Sequence, residues 1–351
     1  MSVRSVTVGF FAIALIGCLT EGAALAQQAV SESWTAPRAP DGKPDLQGIW
    51  DFSTLTPLER PDELAAKAFL TEEEAAQYIQ QRIYSANADR RDGIGTEIRP
   101  GEDTDVALAY NDFWYDRGTT VVGTRRTSLI IDPPDGKLPP LTAEGQKRAS
   151  ALAAFLKQGI RGPLESARTR PVRERCIWWE STGPPLAPNE LGAGSLGAYN
   201  ANLQLVQNED HVAIVTEMIH DARIIPLDGR PHLPSSIRHL LGDSRGRWEG
   251  DTLVVDTTNF MSTEDFIDPG ASSDQVNYRG RRRNMHLTER LTLIDADTLR
   301  YEYTVDDPMT WTRPWTGQQF LTRSKTPLYE YACHEGNIGI AGVLAGARAA
   351  E

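Results

Sequence analysis

Two glutamates interrupt apolar strand faces, and they are the residues best placed to do chemistry. A strand puts alternate residues on opposite faces. In His211–Asp221 one face then carries Val212, Ile214, Thr216, Met218 and His220, and the other Ala213, Val215, Glu217, Ile219 and Asp221. In His286–Ile294 the residues Leu287, Glu289, Leu291 and Leu293 share a face. A carboxylate among aliphatics is costly unless it is paired, protonated or hydrated in a cavity. If Glu217 and Glu289 meet in one cavity, they form an acid/base pair with separated pKa values. The alternative is ion pairing with Arg223 or Arg290. His220 and His286 are expected to orient or relay protons, with Asp221 holding His220. Trp248, Asn259, Tyr301, Trp311 and His334 are the expected substrate contacts. Trp178-Trp179, and Trp311 with Trp315, suit an apolar or aromatic molecule, with core packing as the other account.

No cofactor is expected, because neither G-x-G-x-x-G nor a P-loop occurs. A divalent metal could be built only jointly, from Glu217, His220 and Asp221 with His286, His232 or His334. The helical H-E-x-x-H pattern and the nucleophile elbow G-x-S-x-G are missing. The charged run Asp243–Asp251 reads as a turn held by Asp–backbone hydrogen bonds. Arg281-Arg282-Arg283 reads as a solvated turn or as an anchor for an anionic substrate group.

These residues need a scaffold outside the cytoplasm. Arg4, an apolar run from Val6 to Leu19, and Ala24-Leu25-Ala26 before Gln27 form a signal-peptide pattern. Cleavage there leaves 27–351 as one mature domain in the periplasm or secreted. The alternative is a lipoprotein anchored through Cys18, the one route to a membrane. The net charge of −12 argues against nucleic acid and anionic lipid as partners. The expected partner is a small-molecule substrate. Cys176 and Cys333 remain after cleavage. They form either one disulfide or two buried thiols. A disulfide would close a loop of roughly 150 residues, contributing about 4–5 kcal/mol in the chain-entropy model.

The chain divides into a mixed helical and extended part, 27–160, and a β-meander core, 199–337. Pro57–Phe69 reads as weakly helical. Thr71 and Glu74 make a capping box before a helix over Glu72–Ala88. Thr119–Asp132 alternates toward a strand pair, and Thr142 caps a helix over Ala143–Lys157. Later strands are expected over Leu203–Gln207, His211–Asp221, Thr252–Phe260, His286–Ile294, Thr298–Val305 and Thr316–Thr322, the last turning into Leu328–Cys333. Short polar turns between strands argue for an antiparallel sheet, closed or strongly curved to hide its edges.

Four segments carry a resemblance: Pro44-Asp45-Leu46-Gln47-Gly48-Ile49-Trp50; Ile219-His220-Asp221-Ala222-Arg223; the stretch 242–255, GDSRGRWEGDTLVV; and Tyr331-Ala332-Cys333-His334-Glu335-Gly336-Asn337. Together they resemble a broad family of exported bacterial proteins, which implies export and one folded unit but no mechanism. Gly48-Ile49-Trp50 also resembles the G-x-W of the first lipocalin strand. That implies a calycin-like barrel, although a helical insertion follows the Trp and lipocalin ligands do not transfer. The expectation is therefore a mainly β protein, an antiparallel β-barrel or strongly curved meander sheet with N-terminal α-helices. Its expected activity is acid/base chemistry (lyase, isomerase or hydrolase) on a small apolar or aromatic molecule inside the barrel. The rivals are a noncatalytic periplasmic binding protein for an apolar ligand and a secreted glycosidase with two carboxylates.

Overall fold

The computed structural model describes residues 34–87, 89, 112–114, 117–156, 166–167, 175–177, 183–186, 190–191, 195–196, 200–261, 283–335 and 337–350. The signal segment 1–26 and Trp178-Trp179 lie outside them. The fold is an antiparallel, nearly closed barrel, as the hairpin-rich second half requires. Its strands are β1 (Gly48–Asp51), β2 (Ile130–Asp132), β5 (Asn202–Gln207), β6 (His211–Thr216), β7 (Ala222–Pro226), β8 (Asp243–Glu249), β9 (Thr252–Thr258), β10 (His286–Leu293), β11 (Thr298–Asp306) and β12 (Trp315–Arg323). A separate short hairpin is formed by β3 (Glu190–Leu191) and β4 (Ser195–Leu196).

The wall runs β7-β6-β5-β1-β12-β11-β10-β9-β8, with β2 added on β12. Strand β1 is inserted between β5 and β12, antiparallel to both, so the first strand of the chain joins the two later meanders. The terminal strands β7 and β8 lie side by side. Among the described residues no ladder of hydrogen bonds joins them.

Alternation decides what fills the interior. In β11, Leu299, Tyr301, Tyr303 and Val305 are buried and their neighbours are not; in β10 the buried set is Leu287, Glu289, Leu291 and Leu293. Trp50, Tyr301, Tyr303, Trp311 and Trp315 are among the largest fully buried side chains and belong to one core cluster. Tyr303 packs edge-on against Trp315, which packs edge-on against Trp311. Gly317 makes room for this stack, since a Cβ there would run into the Tyr303 ring. The segment 183–186 adds Leu186 to the core cluster, where it is 2% exposed. The Leu186 N–H donates to Tyr301 Oη at 3.0 Å, and Gln319 Nε2 donates to the Leu186 carbonyl at 2.6 Å.

The G-x-W pattern has a local cause. The Arg323 guanidinium lies 4.3 Å over the Trp50 ring. Gly48 sits at φ +136°, and a Cβ there would collide with Arg323. The indole N–H of Trp50 donates to the Leu46 carbonyl at 3.0 Å.

The helices follow their caps. Thr71 and Glu74 bond reciprocally at the start of α1 (Glu72–Ala86). Thr142 Oγ1 accepts from Gly145 N at the start of α2 (Ala143–Leu156). A third helix, α3 (Ile338–Ala350), follows the last cysteine. Five expectations need correction. Within 57–69 only Asp62–Leu64 forms a 3-10 turn. In 119–132 only β2 is a strand, and Leu328–Cys333 is not one. The segment read as a turn, Asp243–Asp251, is strand β8 plus the hairpin turn to β9. The strand expected over His211–Asp221 stops at Thr216, where Met218–His220 makes a 3-10 turn and β7 runs back along β6.

Cys176 and Cys333 form a disulfide with Cα atoms 5.7 Å apart. No helix among the described residues is long and apolar enough to cross a membrane. A disulfide suits an oxidising compartment.

Candidate functional site

Glu289 faces the interior, as period two requires, and is fully buried. Arg223, inward on β7, reaches it with two nitrogens: Nη1 to Oε2 at 2.5 Å and Nη2 to Oε1 at 2.9 Å. Tyr301 Oη donates to Oε1 at 2.7 Å. Burial, followed by the neighbouring carboxylate, holds the Tyr301 phenol well above its ordinary range, so it serves as a donor. This bidentate pair links β7 to β10 beside the seam that lacks a ladder.

Glu217 belongs to another network. It follows the last residue of β6, is 5% exposed, and accepts from Asn200 Nδ2 at 3.1 Å and Asn202 Nδ2 at 2.8 Å. Ile219 and His220 then adopt left-handed conformations, φ 62° and 51°, which reverse the chain. Period-two counting therefore fails beyond Thr216. His220 is exposed, and Asp221 is half-buried. Burial raises the Asp221 carboxyl above its ordinary value, with His220 acting weakly against it. Asp221, Arg223, Thr216 and Leu241 line a void of about 10 Å³, about the size of one water probe. Neither Glu217 nor Glu289 lines it.

His286 stands on the outer wall, in a chain of alternating charge that the sequence did not suggest. Its Nε2 meets Asp256 Oδ2 at 2.6 Å. The other Asp256 oxygen meets His232 Nε2 at 2.8 Å, and His232 Nδ1 meets Asp243 Oδ2 at 2.9 Å. Arg245 Nη1 closes the row on Asp243 Oδ1 at 2.7 Å. The Asp243 carboxylate also accepts the Leu233 N–H, and Asn259 Nδ2 donates to the Leu233 carbonyl. The row thus clamps the β7–β8 connection onto β8 and β9.

The clamp has a pH window. The Asp256 hydrogen bond outweighs burial and raises His286, helped by Asp306 on the neighbouring strand. Burial pushes Asp256 and Asp243 upward. Their histidine partners, with Leu233 N and Arg245 at Asp243, more than reverse this and hold both below the usual carboxylate range. A raised His contributes stability below its unfolded value of about 6.5 and loses it as pH climbs through the folded value; lowered Asp groups contribute above about 4 and lose it in acid. His286→Asn is therefore expected to lower the melting temperature more at pH 5.5 than at pH 8.5. An equal loss at both pH values would show that the Asp256–His286 charge pair contributes nothing.

The other expected contacts are dispersed. Tyr301 joins Glu289, and Trp311 is buried in the core. Trp248 is half-buried on β8, Asn259 holds the β7–β8 connection, and His334 is exposed beside Cys333. Among the described residues no group of three or more His, Cys, Asp or Glu is arranged to hold a metal.

A ligand-sized space lies outside the barrel. A groove of about 630 Å³ opens between α1, the 117–123 segment and the outer face of β1, β11 and β12. Ligand pockets run from about 300 to 1,000 Å³. Ile83 from α1, Leu55, Val122 and Phe320 give it apolar walls; Asp51, Thr120 and Thr322 give it polar edges. The 117–123 segment is tied down by Leu55 N to the Thr120 carbonyl (2.8 Å) and Val122 N to Thr56 Oγ1 (3.0 Å). Gly118 permits this approach, because a Cβ would meet the backbone at Ser53 and Thr54. Arg117 Nη1 pairs with Asp112 at 2.6 Å on the groove lining. Sequence reasoning missed this groove, which is assembled from segments far apart in the chain.

No protein-family model matches this chain, and none of the curated proteins does. Among solved structures it is similar to a "secretary abundant heat soluble (SAHS) protein" from Ramazzottius varieornatus, with 12% identity and a TM-score of 0.22 over 35% of this chain and 70% of that one.

Proposed function

We propose that this is an exported, noncatalytic binding protein for a small molecule with an apolar or aromatic body, held in the groove between α1 and the barrel wall. The observation carrying this reading is where the space lies. The barrel interior holds the stacked aromatic residues and Leu186, whereas the outer groove has ligand dimensions and both apolar and hydroxyl-bearing walls. Acid/base chemistry by Glu217 and Glu289 is the lesser reading, since their oxygens already accept from Asn200, Asn202, Arg223 and Tyr301. Export is supported by the disulfide and by the signal pattern.

The neutral aromatic probe N-phenyl-1-naphthylamine tests this. Its fluorescence should rise saturably with one site per chain. Thr322→Trp, which fills the groove from an exposed position on β12, should weaken that binding at least about tenfold, the loss of about 1.4 kcal/mol of contact. Far-ultraviolet circular dichroism should stay unchanged. Undiminished probe binding by a folded Thr322→Trp protein would refute the groove as the site.

A further inference from the structure

One corner of the groove between α1 and the barrel wall carries a charge that nothing answers. The register puts Asp51 of β1 opposite Thr322 of β12, and Thr322 opposite Thr298 of β11. All three line the groove. Directly opposed residues share a face with their Cβ atoms about 5 Å apart. A carboxylate and two hydroxyls therefore form a polar row across three strands. Phe320, two residues before Thr322 on β12, shares that outer face and also lines the groove.

The Asp51 carboxylate is only partly committed. Its Oδ1 accepts the Ser53 N–H at 2.7 Å. Among the described residues its Oδ2 has no hydrogen-bond partner, and Asp51 has no ion pair. Asp112 and Arg117, the other charged residues in the described lining, pair with each other. Arg300, beside Phe320 on β11, does not line the groove.

A half-buried carboxylate next to an apolar wall gains most from a ligand that brings both positive charge and N–H donors. The threonine hydroxyls can accept further N–H bonds, and the face of Phe320 also attracts a cation. The net charge of −12 draws small cations towards the surface and repels anions.

We infer that the groove takes an organic amine, with its ammonium on Asp51 and Thr322 and its apolar body against Phe320, Ile83 and Val122. This rests on the groove being the ligand site.

Calorimetric titration of the mature chain with three ligands of one shape tests the charge: 1-naphthylmethylammonium, the neutral 1-naphthylmethanol and the anionic 1-naphthoate. The ammonium compound should bind at one site, at least about fivefold tighter than the alcohol, as a charge-assisted hydrogen bond at a half-exposed position allows. Naphthoate should bind weakest, and added salt should erode the differences. Asp51→Asn keeps an oxygen for the Ser53 N–H, so its fold and melting temperature should not change. It should bind the alcohol and N-phenyl-1-naphthylamine as the parent does and lose the preference for the cation. The ligand series on the parent protein tests the charge without any variant. If N-phenyl-1-naphthylamine binds in the groove but the three ligands bind alike, or Asp51→Asn keeps the cation preference, the inference is overturned and the groove reading stands. If neither the neutral probe nor the ammonium compound binds saturably, both are overturned.

Discussion

Arg223→Met will destabilise the protein by about 3–5 kcal/mol, the cost of leaving a buried charge without its partner. Glu289 has no exposure, and Tyr301 alone cannot replace a guanidinium that meets both carboxylate oxygens. The loss should be larger than burial alone suggests, because Arg223 comes from the edge strand β7 and Glu289 from β10, across the unladdered seam. The double variant Arg223→Met with Glu289→Met should recover most of the loss, because an apolar pair of similar volume removes both desolvation costs. Urea denaturation of the two variants checks this. A single variant within about 1 kcal/mol of the parent would mean that Glu289 can take up a proton or water at little cost, and that the pair does not hold β7 to β10.

Opening the disulfide is the second large effect. Cys176 and Cys333 are 157 residues apart, and such a closure restricts the unfolded chain by about 5 kcal/mol in the entropy model. Cys176→Ser with Cys333→Ser should therefore lower the urea midpoint strongly, and dithiothreitol should do the same to the parent protein. Asn337 Nδ2 donates to Cys176 Sγ at 3.4 Å, so the bond also fixes the start of α3. Loss of the bond with no shift in midpoint would show that the crosslinked segments are already held by other contacts in the unfolded ensemble.

Much of the barrel was legible because regular strands obey simple rules. The inward set Leu287, Glu289, Leu291 and Leu293 follows from alternation alone, and the cost of burying Glu289 calls for a cation such as Arg223 or Arg290. The capping box of α1 follows from Thr71 and Glu74. Failures occurred where backbone geometry departs from the pattern without a Gly or Pro to announce it. Ile219, a β-branched residue, takes a left-handed φ of 62°, and no rule places it there. Strand β8 was hidden because its outer face carries Asp243, Arg245, Arg247 and Glu249; read two by two, with Ser244, Gly246 and Trp248 between them, the charges already alternate. Gly246 looked like a turn residue, but it sits in the strand because a Cβ would strike Ile225 and Leu227. The groove and the His232–Asp256–His286 row could not be read at all. Each is made by residues that only the strand order and the loop paths bring together.

The central claim is that small molecules meet this protein on the outer wall of the barrel and not within it. Methyl-labelled NMR spectra recorded with N-phenyl-1-naphthylamine test that directly. Shifts should concentrate on Leu55, Ile83 and Val122, which line the groove, and leave Val212, Ile225 and Leu291 in the core unmoved. Shifts centred on those core methyls, with the groove silent, would contradict it.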